Sequence, residues 1–431
     1  MSKSILNEPL TLPCGVALRN LLCKAAMTEG LADAQNRATS GHERLYRRWG
    51  AGGIGMMLTG NVQVDHRYLE RPGNVVIEGQ QSPEQLEALR RWSAAAKENG
   101  AAIWMQISHA GRQTMKYVAS EPVGPSAVQV EIPGGMFGKP RALSTDEITD
   151  IIGRFAHTAR IAKETGFDGV QVHAAHGYLL SEFLNPLTNR RDDEWGGPLE
   201  NRARMLRAVI AAVRGAVGAD FPISVKLNSS DFQKGGFDFS DSRQVAKWLR
   251  EDGVDLLEIS GGNYEQPVMM GAEGLEPMFE EGKRESTRAR EGYFLDYARQ
   301  MRAADTPPLM VTGGFRTRAG MEAAIGDDGV AMVGLGRPLC ADTAAPEKLL
   351  NGEIEHLTSW EGILRIGPGW FGPQSKNNTL RMLNGWGVQA WFCLQLLRMG
   401  AGQAPDPRFG VFRAFLKYQS GEKKKAKALV K

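Results

Sequence analysis

Short apolar runs alternate with amphipathic segments along most of the chain. Eight of the runs have the length of buried β-strands, and they span residues 21–27, 54–60, 101–107, 169–174, 222–228, 255–260, 308–314 and 330–336. Segments with helical spacing lie between most of them, and two of these begin with a serine cap, Ser82 and Ser144, followed by an acidic first turn. Strands that alternate with helices imply parallel pairing through right-handed crossovers. The α/β pattern therefore predicts a (β/α)8 TIM barrel. A doubly wound sheet is the alternative, but its G-x-G-x-x-G fingerprint is absent after the first strand.

Three regions exceed a minimal barrel. Residues 1–20 are expected to form an N-terminal hairpin that plugs the bottom, and long loops follow strand three (108–144) and strand six (261–288). Residues 351–431 continue beyond the eighth unit. We expect residues 1–350 to form the barrel and residues 351–431 to be a C-terminal extension, packed on the barrel or on a second subunit.

Composition narrows the class of protein. The 431 residues are 42% hydrophobic and carry a net charge of +3, which does not suggest a nucleic-acid partner. Neither a signal peptide nor an apolar run long enough to cross a membrane is visible. The four scattered cysteines lack the spacing of metal ligands. We expect a cytoplasmic protein without a metal site, with a small-molecule substrate and possible assembly into a homo-oligomer.

Polar residues occupy inward positions on three predicted strands. Side chains alternate along a barrel strand, so the apolar set should face the helices and leave Gln106, His173 and Lys226 pointing inward. Each lies near the C-terminal end of its strand, where the active sites of such barrels are found. Convergence of three polar side chains favours a binding site over three isolated core residues.

Glycines end the last two predicted strands. Gly314 in "VTGGF" and Gly336 in "VGLGRP" lie in the loops where such barrels often bind phosphate, and Arg337 adds a bidentate donor. The barrel is therefore expected to hold a phosphorylated ligand. FMN fits, because a cation such as Lys226 would stabilise the negative charge of reduced flavin. A sugar phosphate would also satisfy the phosphate positions.

Several motifs together resemble one family. "HAAHGYLLSEFLNPLTNRRDDEWGGPLENR" is similar to the fourth-strand signature of the old yellow enzyme family of FMN-dependent ene-reductases. "WMQISHAGR", "VKLNSSD", "VTGGF" and "VGLGRP" match other landmarks of that family in the same order. The resemblance covers roughly residues 5–345, and it is closest to the bacterial branch that includes the barrel of 2,4-dienoyl-CoA reductase.

The resemblance implies roles for individual residues. The implied cofactor-binding residues are Ala26, Met27, Thr28, Gly60, Gln106, Lys226, Gly314, Gly336 and Arg337. Among them, Thr28 would lie near flavin O4 and N5, Gln106 at the pyrimidine edge, and Lys226 near N1 and O2. His173 and His176 would donate to a substrate oxygen, and Tyr178 would supply a proton. For His109 and Arg112 a structural role is expected.

The resemblance also implies the activity. We expect an FMN-dependent oxidoreductase that takes hydride from NADH or NADPH and reduces the activated C=C bond of α,β-unsaturated carbonyl compounds, or related nitro compounds or quinones. One alternative is a flavin-free lyase or isomerase acting on a phosphorylated metabolite, with Lys226 as a base or Schiff-base former. Another is a flavin-binding protein without turnover.

Overall fold

Eight parallel strands close into a barrel in the computed structural model, which describes residues 4–132, 135–262, 265, 292–302 and 305–429. The strands are β1 Leu22–Lys24, β2 Met56–Leu58, β3 Ala102–Ser108, β4 Gly169–Ala174, β5 Ile223–Asn228, β6 Leu256–Ser260, β7 Leu309–Thr312 and β8 Met332–Leu335. Each pairs with its neighbours in chain order, and β8 pairs with β1. Seven of the eight lie within the runs expected from the sequence, and β3 extends one residue beyond its run, to Ser108. The prediction of a (β/α)8 barrel is confirmed.

One helix follows each strand on the outside of the barrel. These helices are α1 Ser40–Gly50, α2 Pro83–Lys97, α3 Thr145–Glu164, α4 Leu199–Val217, α5 Phe239–Glu251, α6 Leu295–Arg302, α7 Arg318–Gly326 and α8 Ala345–Asn351. Ser82 and Ser144 cap α2 and α3 through capping boxes, as their sequences predict. A short additional helix, Leu179–Leu184, lies between β4 and α4.

The N-terminal segment forms the expected hairpin. Its strands, Leu10–Thr11 and Ala17–Leu18, pair antiparallel. Leu12 and Leu18 pack with Trp104 and other apolar residues that fill the barrel interior at the N-terminal ends of the strands. The Cys14 N–H donates to Asp255 Oδ1 at 3.0 Å, just before β6 begins, which attaches the hairpin to the bottom of the barrel.

The long loops differ in how much the structure describes. The loop between β3 and α3 is described except for residues 133 and 134, whereas most of the predicted loop after β6, residues 261–288, lies outside the described residues. Within the described ranges, none of the helices combines the length and the low polarity needed to span a bilayer.

The C-terminal extension folds against the barrel of its own chain. Its two long helices are α9 Asn378–Gly400 and α10 Val411–Ala428. On α1, Arg44 Nε donates to the carbonyl of Gly400, at the end of α9, at 2.7 Å. From α10, Lys425 donates to the carbonyl of Gly30. The second contact brings the extension to the C-terminal ends of the barrel strands.

Candidate active site

Polar side chains form a connected network inside the upper half of the barrel. Gln106 Nε2 donates to Gln171 Oε1 at 2.7 Å, and Gln171 Nε2 donates to Glu258 Oε2 at 2.9 Å. Lys226 Nζ lies 3.0 Å from Glu258 Oε1, and both side chains are almost fully buried. Gln106 and Lys226 therefore point inward, as the strand alternation predicts, and they belong to one network across β3, β4, β5 and β6.

Glu258 is a member of this network that reasoning from the sequence missed. In "LLEIS" its neighbours Leu257 and Ile259 pack in the outer core, whereas Leu256 packs inside the barrel. The alternation that identifies Lys226 would have identified Glu258 as well. Register places the two residues side by side, since Lys226 is directly opposite Glu258 in the β5–β6 pair. A buried carboxylate thus offsets much of the Lys226 charge within the pocket.

His173, near the end of β4, and His176, just after that strand, are buried and neutral. Burial lowers the pKa of His173 and of His176 well below the ordinary value, and the Lys226 charge lowers both further. His173 Nδ1 accepts the N–H of Ala175 at 3.2 Å, so its proton lies on Nε2. His176 Nε2 lies 2.6 Å from Ser260 Oγ. If Ser260 donates this bond, Nδ1 of His176 carries the proton, and both rings can donate from one nitrogen.

The His176 backbone is held in an unusual conformation. Its φ is +64°, in the left-handed region, and its N–H donates to Asn228 Oδ1 at 3.2 Å. Asn228 Nδ2 in turn donates to Asp231 Oδ1 at 2.6 Å. The motif "NSSD" that ends β5 therefore fixes the turn that presents His176.

Tyr178 lies against the histidine pair. Its ring centroid is 4.8 Å from that of His173, in an edge-on arrangement, and only 4% of the residue is exposed. Tyr178 is the N-cap residue of the short helix Leu179–Leu184. Asn61 Nδ2 lies 3.4 Å from the phenol oxygen and donates to it. Asn61 was not identified from the sequence.

The segment after β1 supplies the residues expected beside the flavin ring. Ala26 packs against the apolar interior of the barrel, and Met27 Sδ lies 3.5 Å from Cys340 Sγ. Thr28 Oγ1 donates to Glu70 Oε2 at 2.8 Å. A Cβ on Gly60 would lie 2.5 Å from the Met27 carbonyl, so only glycine lets the loops after β1 and β2 pass this closely.

The loops after β7 and β8 carry the residues that are expected to bind the phosphate. Gly314 has a φ of +85°, and a Cβ there would lie 2.9 Å from the Gly292 nitrogen. At Gly336 the nearest atom to an added Cβ is Met27 Sδ at 3.8 Å, which leaves room for a ligand close to the backbone. Arg337 is partly buried and has no ion pair with the residues that the structure describes. Together with Gln106 and Lys226 deeper in the barrel, these groups fit FMN.

His109 and Arg112 lie beside the site and not within the polar network. Burial lowers the pKa of His109 to about 4, and its Nε2 is 3.9 Å from Asp65 Oδ2. The Arg112 N–H donates to Glu182 Oε1 at 2.8 Å, and burial raises the pKa of that carboxyl to about 8. The Arg112 contact holds the loop after β3 against the short helix, and the His109 contact faces the loop after β2. Both agree with a structural role.

A family model places this chain in a class of flavoenzymes. The model of the NADH:flavin oxidoreductase / NADH oxidase family matches residues 6–355, and the chain belongs to that family. The expected relationship to old yellow enzymes, the FMN cofactor and the use of a reduced nicotinamide nucleotide are thereby confirmed. A flavin-free lyase or isomerase does not agree with this membership.

Individual relatives support the same class. The NADH-dependent flavin oxidoreductase iliE of Hypocrea jecorina is 37% identical over 366 residues, which is 80% of this chain and 89% of the relative. The NADH oxidase of Thermoanaerobacter brockii is 33% identical over 345 residues, covering 79% of this chain and 50% of that protein. The chain thus spans most of some curated relatives and about half of others, including 46% of the iliE protein of Neonectria.

Solved structures agree with the fold and the family. An old yellow enzyme homologue from Zymomonas mobilis matches with a TM-score of 0.66 and 25% identity, covering 82% of this chain and 94% of the other. 2-Naphthoyl-CoA reductase matches with a TM-score of 0.73 and 26% identity, covering 83% of this chain and 54% of the other.

Proposed function

We propose that the chain reduces the C=C bond of an α,β-unsaturated carbonyl compound, with NADH or NADPH as the source of hydride. The observation that carries the proposal is the pair of neutral histidines beside Tyr178 at the mouth of the barrel. His173 directs an N–H away from the backbone contact on its other nitrogen. Two such donors on one carbonyl oxygen stabilise the negative charge that develops there when the conjugated β-carbon accepts hydride.

The chain's own residues have distinct tasks in this reaction. FMN, when bound, relays hydride from the nicotinamide nucleotide to the substrate. Lys226 and Gln106 would bind its ring, while Gly314, Gly336 and Arg337 would bind its phosphate. His173 and His176 would orient the substrate oxygen, and Tyr178 would give its proton to the α-carbon. The phenol suits that step, because it donates without first carrying charge in a buried pocket.

Spectra of the purified protein test the proposal. We expect a flavin absorption band that NAD(P)H bleaches and that an enone restores, and FMN but not FAD after denaturation. Arg337→Ala should weaken FMN retention, since it removes a cation facing the phosphate. A band that NAD(P)H bleaches but no enone, nitro compound or quinone restores would instead favour a flavin protein without this turnover.

We further propose a cytoplasmic location, no nucleic-acid or membrane partner, and assembly into a homo-oligomer. Residues 1–350 would be the FMN-binding barrel and residues 351–431 an extension that has no cofactor of its own. The modest net charge of +3 supports the absence of a nucleic-acid partner. Exposed aromatic residues on the extension, such as Trp370 and Trp386, support a role in assembly. Light scattering and metal analysis of the purified protein test these points.

A further inference from the structure

One carboxylate connects the flavin side of the candidate active site, at Thr28, with the proton-donor side, at Tyr178. This site is called the reduction site below. Glu70 Oε2 accepts from Thr28 Oγ1 at 2.8 Å and from Asn61 Nδ2 at 2.9 Å. Asn61 Nδ2 also lies 3.4 Å from the hydroxyl of Tyr178. Glu70 is only 4% exposed. The same oxygen therefore orients the hydroxyl expected beside the flavin and the amide that contacts the expected proton donor.

The other side of this carboxylate faces the C-terminal extension. Arg71 Nε donates to Glu70 Oε1 at 3.3 Å, and Arg71 Nη1 lies 3.8 Å from Glu422 Oε2 on α10. The guanidinium also lies over the ring of Tyr418, 5.7 Å from its centroid. The side chains of Glu70 and Glu422 are 5% and 7% exposed. Solvent screens such buried charges weakly, so the three groups should be coupled electrostatically.

A second contact fixes α10 to the same part of the barrel. Lys425, one turn after Glu422, donates to the carbonyl of Gly30, two residues after Thr28. The loops after β1 and β2 also pack directly on each other, since a Cβ on Gly73 would lie 2.7 Å from the Gly30 carbonyl oxygen. Helix α10 thus contacts both loops that meet at Glu70.

We propose that Glu70 is a positioning residue of the reduction site, and that Arg71 makes helix α10 a working part of that site within the same chain. The inference rests on the proposed function, because it is there that Thr28 and Tyr178 act on flavin and substrate. Glu70 would hold the Thr28 hydroxyl and the Asn61 amide in fixed orientations. Its negative charge would oppose reduction of the flavin, and Arg71 would offset that charge.

Reduction potentials separate this proposal from a purely structural role for the cluster. Glu70→Gln removes a negative charge near the flavin, so the midpoint potential should rise, because reduced flavin is stabilised. Arg71→Met removes the compensating cation, so the potential should fall. Glu70→Asp keeps the charge and should leave the potential near that of the parent protein. A cluster that only fastens loops together would move the potential in the same direction in both variants, or in neither.

Kinetics test the connection to α10. Glu70→Gln should slow reoxidation by an enone about tenfold, the scale of one charge-assisted hydrogen bond, with less effect on reduction by NAD(P)H. Glu422→Gln should slow the same step by a smaller factor, and this effect should vanish in the Arg71→Met background. Arg44→Met is the matched control, because it removes a contact between barrel and extension that does not involve Glu70. It should leave potential and reoxidation unchanged.

The outcomes distinguish this inference from the proposed function. Potentials that shift in one direction in Glu70→Gln and Arg71→Met would overturn the inference alone. So would effects of Glu422→Gln that persist fully without Arg71. FMN binding without enone reduction would contradict the proposed function, while the potentials would still decide on Glu70. Failure of the parent protein to bind FMN would overturn both.

Discussion

The lower and upper halves of the barrel interior are built from the same strands and have opposite characters. On β3, Trp104 in the lower half and Gln106 in the upper half are two residues apart and point the same way, as do Leu256 and Glu258 on β6. The lower residue of each pair packs among apolar side chains next to the hairpin. The upper one joins the polar network. The two residues of each pair are separated by a rise of roughly 6–7 Å along their strand. Over that distance the interior changes from apolar packing to the polar network of the candidate site.

The difference shows where polarity can be tolerated in a barrel. In the upper half the polar groups satisfy one another, since Gln106, Gln171, Glu258 and Lys226 form a continuous set of contacts. The lower half is sealed by the hairpin, and a polar group there would be buried without a partner at a cost of about 1–3 kcal/mol. Changes in the lower half should therefore alter stability, and changes in the upper half should alter chemistry.

Trp104→Ala should produce the largest effect. The side chain is fully buried, and its ring occupies the space that Gly169 leaves, where an added Cβ would lie 2.7 Å from the ring. Loss of the indole should lower the free energy of unfolding by ~3–5 kcal/mol, as measured by urea titration. Met310→Leu is a volume-conserving control nearby, with an expected cost below about 1.5 kcal/mol. A changed flavin potential in folded Trp104→Ala would show that the lower half also affects the chemistry, which contradicts the comparison.

Tyr178→Phe should act on chemistry and hardly on stability. The phenyl ring can keep the edge-on contact with His173, whereas the proton is lost. We expect reoxidation by an enone to slow by ~10² or more, the usual scale of general acid catalysis, while reduction by NAD(P)H stays nearly the same. Quinones should be affected less, because their oxygens can take protons from water. Stopped-flow traces with an unchanged enone step would remove Tyr178 from the donor role.

The sequence predicts most of the scaffold, because strand and helix periodicity depend on local alternation. The eight strands and the residues expected at their ends follow from that alternation. Lys24 shows what alternation alone does not predict. It lies in β1 but points towards the helices, where its Nζ donates to the Leu58 carbonyl at 2.6 Å and lies 3.2 Å from the Tyr46 hydroxyl. No local pattern reveals such partners, which lie 34 and 22 residues away.

The residues that hold the site residues in place are likewise not predictable from the sequence. Glu70 and Asn61 lie in a loop with no strand or helix period to orient them. Their role depends on contacts with Thr28 and Tyr178, which are distant in the chain. The contact of Glu422 with Arg71 depends on how the whole C-terminal extension folds against the barrel. Such residues can be found only when the tertiary structure brings them together.

Acid should lower the stability of the fold through the buried His109, which lies beside the upper half. Burial lowers the pKa of His109 to about 4, below the value of about 6.5 expected in the unfolded chain. The folded state then binds fewer protons than the unfolded state below pH 6.5. The stabilising contribution is complete above that pH and is lost as the pH falls towards 4. At pH 5 this one histidine should cost about 2 kcal/mol relative to pH 7.

His109→Gln should flatten the pH dependence of stability, and urea titrations at pH 7 and pH 5 measure the difference. Met310→Leu, in the lower half, serves as the control and should keep the slope of the parent protein. Equal slopes in His109→Gln and the parent protein would show that His109 is not responsible for the acid sensitivity.

Glu258→Gln should give the smallest effect on the chemistry, and it sharpens the comparison within the upper half. The substitution keeps an oxygen that can accept from Gln171 but removes the charge that offsets Lys226. An uncompensated Lys226 should stabilise reduced flavin, so the midpoint potential should rise by on the order of 1 kcal/mol, or about 20 mV for two electrons.

Lys226→Met should shift the midpoint potential the opposite way. Each substitution should also destabilise the fold, because it leaves one member of the buried pair without its counter-charge. Leu256→Met, one inward position below Glu258, is the control and should leave the potential unchanged. A spectroelectrochemical titration in which Glu258→Gln matches the parent protein would mean that the Glu258 charge does not act on the flavin. An unchanged potential in Lys226→Met would remove Lys226 from its role beside the ring.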